Sequence, residues 1–124
     1  MLKSFEISTG TNMVPTATVR LVAPDGRILV RTDAGTGPVD ATYRAINALV
    51  GLENELTEFA IKAITEGIDA QGEVTVRIRA DGKTYVGRGA DTDIVVASAK
   101  ALMNALNRLL SIQRRADTEV RTNP

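Results

Sequence analysis

The sequence predicts an α+β domain of two β-β-β-α units related by a pseudo-two-fold axis, with the helices packed on antiparallel sheet. Three observations carry the prediction. Stretches that alternate apolar and polar residues flank two turn signals, Pro24-Asp25-Gly26 and Asp81-Gly82. Val39 to Val50 and Ile94 to Ile112 instead repeat apolar residues at helical spacing. The layout also occurs twice: Thr18-Val19-Arg20-Leu21 falls on Thr75-Val76-Arg77-Ile78, and Asn47-Ala48-Leu49 on Asn104-Ala105-Leu106, both at a spacing of 57.

Leu2 to Ser8 reads as a first strand with Phe5 and Ile7 on one face, and Thr9 to Asn12 as a turn. Thr16 to Val22 is a strand with Ala17, Val19 and Leu21 inward and Thr18 and Arg20 outward. Arg27 to Arg31 returns with Ile28 and Val30 inward. A hinge, Asp33 to Gly37, opens into the first helix. Pro38 fits the first helical position, where its missing N–H costs nothing, and Gly51 is a natural terminator.

Leu52 to Glu66 fits a helix and a strand equally well. The repeat favours a strand from Thr57 to Ile64, because a second unit without it leaves an unpaired edge. Phe59, Ile61 and Ala63 then point inward. Gly67 to Gly72 is a loop, Glu73 to Arg79 a strand with Val74, Val76 and Ile78 inward, and Lys83 to Arg88 its return. Gly89 to Asp93 forms a second hinge and Ile94 to Ile112 the second helix. The units span about 2–51 and 56–112 of one domain, and 113–124 is a polar tail expected to fray. The second helix carries a leucine stripe (Leu102, Leu106, Leu109) and a small-residue stripe (Ala97, Ala101, Ala105). Apolar residues on more than one side need more than one packing partner, so the surplus reads as a homodimer contact.

Composition narrows the function. Fifteen basic and fifteen acidic residues cancel and only 3% of residues are aromatic, a poor match to nucleic-acid binding. There is no cysteine and no histidine, which removes thiol chemistry, the commonest general base and the commonest transition-metal ligand. No apolar run approaches the roughly 20 residues of a membrane span, and no signal peptide is visible. The expectation is a cytoplasmic domain without cofactor, nucleic-acid or membrane partner and with no metal residue assigned, the carboxylates leaving Mg or Ca sites open.

The hinges are the candidate site. Free N–H groups at a helix start, with the positive end of the helix dipole, suit a carboxylate. Two pseudo-symmetric hinges, Gly35–Asp40 and Gly89–Asp93, can bracket a small zwitterion. Backbone carbonyls, or a carboxylate such as Asp40 or Asp93, then hold its ammonium, and Val39, Tyr43, Ile61 and Ile94 meet its side chain. The same residues also read as a tight turn with capping aspartates and a core tyrosine.

Three segments together resemble the C-terminal regulatory domain of the alpha-isopropylmalate synthase and citramalate synthase family. They are Gly35-Thr-Gly-Pro-Val-Asp-Ala41, Asp69-Ala-Gln-Gly-Glu-Val74 and Gly87-Arg-Gly-Ala-Asp-Thr-Asp-Ile94, the last followed by Val96-Ala-Ser-Ala-Lys-Ala101. The likeness runs from about Leu2 to Leu110. It implies two β-β-β-α units and an effector, L-leucine or L-isoleucine, held where two such domains meet. It carries Gly35, Thr36, Gly37, Pro38, Val39 and Ala41 over as the effector loop, with Tyr43 on the helix that follows. Asp69, Ala70 and Gln71 carry over as a second loop. It further implies a covalent N-terminal catalytic barrel that condenses acetyl-CoA with a 2-oxoacid. A barrel needs about 250 residues, against 124 here, and its histidine-containing metal site cannot exist in this composition. The chain is therefore expected to have no condensing activity and no catalytic residue of its own. Two other readings stay open: a pure dimerisation module without ligand, and a small enzyme using Asp40, Asp69, Asp91 and Asp93.

Overall fold

Alternation in the middle strand of each unit builds the core, and the neighbouring strands pair around it. The computed structural model describes residues 5–10, 14–63 and 70–122. The first unit is β1 (Phe5–Gly10), β2 (Thr16–Val22), β3 (Ile28–Ala34) and α1 (Pro38–Val50). The second is β4 (Glu55–Ala63), β5 (Gly72–Ala80), β6 (Lys83–Asp91) and α2 (Ile94–Thr122). Each unit has its own antiparallel sheet, ordered β1-β2-β3 and β4-β5-β6. Helix α1 lies on β2 and β3, α2 lies on β5 and β6, and the helices touch each other. Val19, Leu21, Ile46, Val76, Ile78, Leu102 and Leu106 are buried in one core that joins the units. The two-unit α+β architecture and the strand reading of Thr57 to Ala63 both hold.

The ends of elements differ from expectation. Thr9 and Gly10 extend β1 by pairing with Ala17 and Thr16 instead of turning. Asp33 and Ala34 belong to β3, and Gly89 to Asp91 belong to β6, so the second hinge shrinks to Thr92 and Asp93. Helix α2 runs to Thr122 rather than ending near Ile112, and no glycine or proline interrupts Gln113 to Thr122. Leu2 and Ile64, predicted strand ends, lie outside the described residues.

The facing of β3 is a correction. Ile28 and Val30, expected inward, are 54% and 58% exposed. Antiparallel partners share a face: Leu29 pairs with buried Leu21, while Val30 pairs with Arg20. The run Arg27-Ile-Leu-Val-Arg does not alternate, so its parity is set by the preceding turn. That turn closes Ala23 onto Arg27 (2.9 Å) around Gly26 at φ +89. The second hairpin instead uses two residues of positive φ, Asp81 and Gly82, with Ala80 pairing directly with Lys83. The extra residue in the first turn also shortens the repeat. Leu21 and Ile78 correspond at 57, but Thr42 and Ser98, whose hydroxyls donate to Pro38 O and Ile94 O, correspond at 56. Exposed Arg44 and Ala48 likewise match exposed Lys100 and Asn104 at 56. The Asn-Ala-Leu match is one residue out of structural register.

The small-residue stripe is a second correction. A Cβ on Gly87 would lie 2.6 Å from Ala105 N, and one on Gly89 would lie 2.6 Å from Ala101 N. Ala97, Ala101 and Ala105 are fully buried against these glycines of β6. The stripe therefore brings helix and strand backbones together within one chain and leaves nothing for a partner. Apolar surface is left uncovered on β4. Phe59 pairs with Val76 and Ile61 with Val74, the buried face of β5, yet they stay 37% and 57% exposed, because α2 covers β5 and β6.

Candidate functional site

Gly37 caps α1 with extended backbone (φ −164, ψ 176), Pro38 follows, and no side chain caps the helix start. The loop before it is held in place: Gly35 N–H donates to Pro15 O at 3.0 Å, and Thr36 N–H donates to Asp40 Oδ2 at 2.8 Å. A Cβ on Gly35 would sit 2.6 Å from Ala41 N, so this position needs glycine. Around the loop opens a cleft of about 460 Å³, lined by Thr36, Gly37, Pro38, Val39, Asp40, Tyr43, Leu56 and Phe59. That volume lies in the usual range for small-molecule sites.

The two helix starts differ at corresponding positions, Gly37 and Asp93. In α2, Asp93 Oδ1 accepts from Val95 N–H at 2.8 Å and Val96 N–H at 3.4 Å, ordinary N-capping by a carboxylate. In α1, the same position offers only a hydrogen atom toward open space. One unit thus fills its own carboxylate seat and the other leaves it open to the cleft.

Asp40 lines the cleft and accepts from Thr36 N–H and from Arg44 Nε at 3.0 Å. The Thr36 N–H above all holds its carboxyl below the ordinary 3.8, burial opposes it, and Arg44 adds to the lowering. A folded value below the unfolded one gives stability that is present above pH 3.8 and lost as pH falls beneath it. Asp40→Asn should therefore lower the melting temperature at about pH 5, and the gap to the parent should close as acid is added below 3.8. A gap that stays constant across a pH series would contradict this role. Asp91 accepts from Asp93 N–H at 2.9 Å and pairs with Lys100 at 2.9 Å, which hold it below its ordinary value.

Tyr43 joins the cleft to the second unit. It is 7% exposed, its ring meets Phe59 edge-on at 6.1 Å between centroids, and its hydroxyl donates to Ser98 O at 2.9 Å. Burial pushes its phenol well above the ordinary value, so it stays protonated as a donor. This bond ties the second turn of α1 to the second turn of α2.

Of the residues singled out from sequence, Thr36, Gly37, Pro38, Val39, Asp40 and Tyr43 line the cleft together. Gly35 and Ala41 shape its floor by close approach. Ile61 lies further along the open face of β4. Ile94 packs over Gly72, while Ala70 and Gln71 are exposed and Asp93 is engaged as a cap. None of these last five lines the cleft of a single chain. Asp69 lies outside the described residues. Leu56 and Phe59 are lining residues that sequence reasoning missed. Phe59 reads as core on the apolar face of the predicted strand, and Leu56 falls just before that strand's start, while β4 begins at Glu55. A larger groove, about 940 Å³, runs past Tyr85, Asn104 and Arg108, without an open helix start. Among the described residues no cluster of three carboxylates, histidines or cysteines suits a metal, and no helix is long and apolar enough to cross a membrane.

Residues 1–110 match the family model described as the LeuA allosteric (dimerisation) domain. Similar proteins include the 2-isopropylmalate synthase of Gloeobacter violaceus, 56% identical over 108 residues, covering 87% of this chain and 20% of that protein. The 2-isopropylmalate synthase of Synechococcus sp. (strain WH7803) is 54% identical over 110 residues, 89% of this chain and 20% of its own length. That of Prochlorococcus marinus (strain NATL1A) is 54% identical over 114 residues, 92% and 21%. The chain spans about a fifth of the length of these relatives. The family match covers both units, the glycine loop and the cleft, and the chain belongs to the LeuA allosteric (dimerisation) domain family.

Proposed function

We propose that this chain is the leucine-sensing feedback domain of a 2-isopropylmalate synthase, acting as a homodimer on a separate acetyl-CoA-dependent condensing barrel. The observation that supports it best is the open carboxylate seat at Gly37 beside an apolar cleft, set against the self-capped seat at Asp93. Leucine's carboxylate takes the N–H groups at the start of α1, and its side chain lies among Val39, Tyr43, Leu56 and Phe59. Asp40, kept ionised by its donors, supplies negative charge near the ammonium. A second copy covers the apolar face of β4, in keeping with the dimerisation named in the family's description. The partner brings residues of its own second unit toward the cleft, which gives Gln71, Asp93 and Ile94 a place beside the ligand.

Titration calorimetry with leucine, isoleucine and valine tests the reading. Leucine should give the largest saturable heat, and a melting temperature that rises with its concentration. Leucine and isoleucine differ only in shape, worth about 1–3 kcal/mol in a fitted pocket, so a stronger response to isoleucine would reassign the ligand. No heat and no melting shift with any of the three would leave a dimerisation module alone. For the interface, Ile61→Lys should raise the dimer dissociation constant at least about tenfold in sedimentation, because it places an unpaired charge in a buried contact. An unchanged dimer would put the interface elsewhere.

A further inference from the structure

We infer that Tyr43 is the residue that passes occupancy of the cleft to α2; this rests on the proposed function. Three observations converge on it. Its ring is part of the cleft wall and meets Phe59 edge-on, so a ligand side chain entering the cleft presses on that ring. Its hydroxyl reaches out of the first unit and donates to a backbone carbonyl of α2, Ser98 O, at 2.9 Å. By helix geometry the same carbonyl accepts the N–H of Leu102, so a displaced tyrosine changes the hydrogen bonding of α2 itself.

Helix α2 is suited to relay the change. It runs for 29 residues, about 43 Å at the standard rise. Gly87 and Gly89 bring it against β6 with no side chain between the backbones, so helix and sheet move as one body. The Ser98 hydroxyl is turned to Ile94 O and takes no part in the link. Tyr43 is a positioning residue in this role: it ties the two packed units by a directional bond, which tolerates sliding less well than the apolar contacts around it.

The test is hydrogen exchange on the 124-residue chain with and without saturating L-leucine. In the parent chain leucine should slow exchange at the start of α1 and in α2 around residues 98–105. Tyr43→Phe keeps the ring and removes only the donor. With leucine raised to saturation by the variant's own titration, it should keep the protection at α1. The added protection in α2 should fall by about fivefold, the effect of one ordinary hydrogen bond. Ser98→Ala, which leaves the carbonyl in place, should behave as the parent. Full α2 protection in Tyr43→Phe overturns the inference, as does a folded Tyr43→Phe that no longer binds leucine. Protection of α1 without protection of α2 in the parent chain also overturns it, independently of any variant. If the parent chain does not bind leucine, the sensing function itself fails, a result distinct from these.

Discussion

Gly37→Asp should abolish the response to leucine and leave the chain slightly more stable. Most single substitutions destabilise the fold, so the pairing of the two outcomes is diagnostic. The physical reason is the correspondence with Asp93. A side chain at Gly37 meets nothing within 4 Å, and its extended backbone suits any residue. The new carboxylate can therefore accept from the first N–H groups of α1 as Asp93 does from Val95 and Val96 in α2. An aspartate cap in place of glycine is worth a few tenths of a kcal/mol, and its charge on the helix dipole about 0.3–1 kcal/mol more. The expected rise in melting temperature is about 1–4 °C. The seat is then occupied from within, and a ligand carboxylate meets both a filled site and a like charge. Calorimetry should show no leucine heat, and the melting curve should no longer move with leucine. Retained binding at the parent affinity would mean that the ligand carboxylate does not sit at the start of α1. Gly37→Ala separates the two effects, since it adds bulk without charge.

Gly87→Ala should be the most damaging single-methyl change in the described part of the chain. The added Cβ would lie 2.6 Å from Ala105 N and 2.9 Å from Ala105 Cβ, and would overlap the Ala101 carbonyl. These are backbone atoms and a buried methyl, not the far end of a flexible side chain, so helix and strand must separate. Overpacking of this kind costs about 1–3 kcal/mol, and the strain here spans the seam that joins α2 to its sheet. Thermal and denaturant unfolding should show a loss of roughly 4–10 °C in midpoint, accompanied by weaker leucine binding if α2 supports the cleft through Tyr43. A midpoint within about 2 °C of the parent would mean that α2 is not held against β6 as described.

Much of the fold was legible because its signals act within a few residues. The Asp81-Gly82 turn, Pro38 at the start of α1 and Gly51 at its end (φ 68, N–H to Asn47 O at 2.9 Å) all act locally. The alternation of β2 and β5 was equally plain, and each presents a fully buried face. The helix-opening part of the site was legible for the same reason: Thr36 to Asp40 and Tyr43 line the cleft as adjacent or next-turn residues. Leu56 and Phe59 were not, because an apolar face on a strand looks the same in sequence whether a helix covers it or leaves it open.

By itself the sequence determined the order of strands and helices, the duplication, the caps and the open helix start. Those follow from backbone preferences and side-chain periods that each residue expresses with its near neighbours. The tertiary structure alone decided that β3 turns Leu29 inward, that Gly87 and Gly89 absorb the alanine stripe, and that β4 keeps an apolar face uncovered. It alone also brought Tyr43 to Ser98, 55 residues away. Each of these depends on hairpin parity and on where a helix docks over a sheet. Both are set by packing between segments far apart in the chain, where local propensity has no purchase.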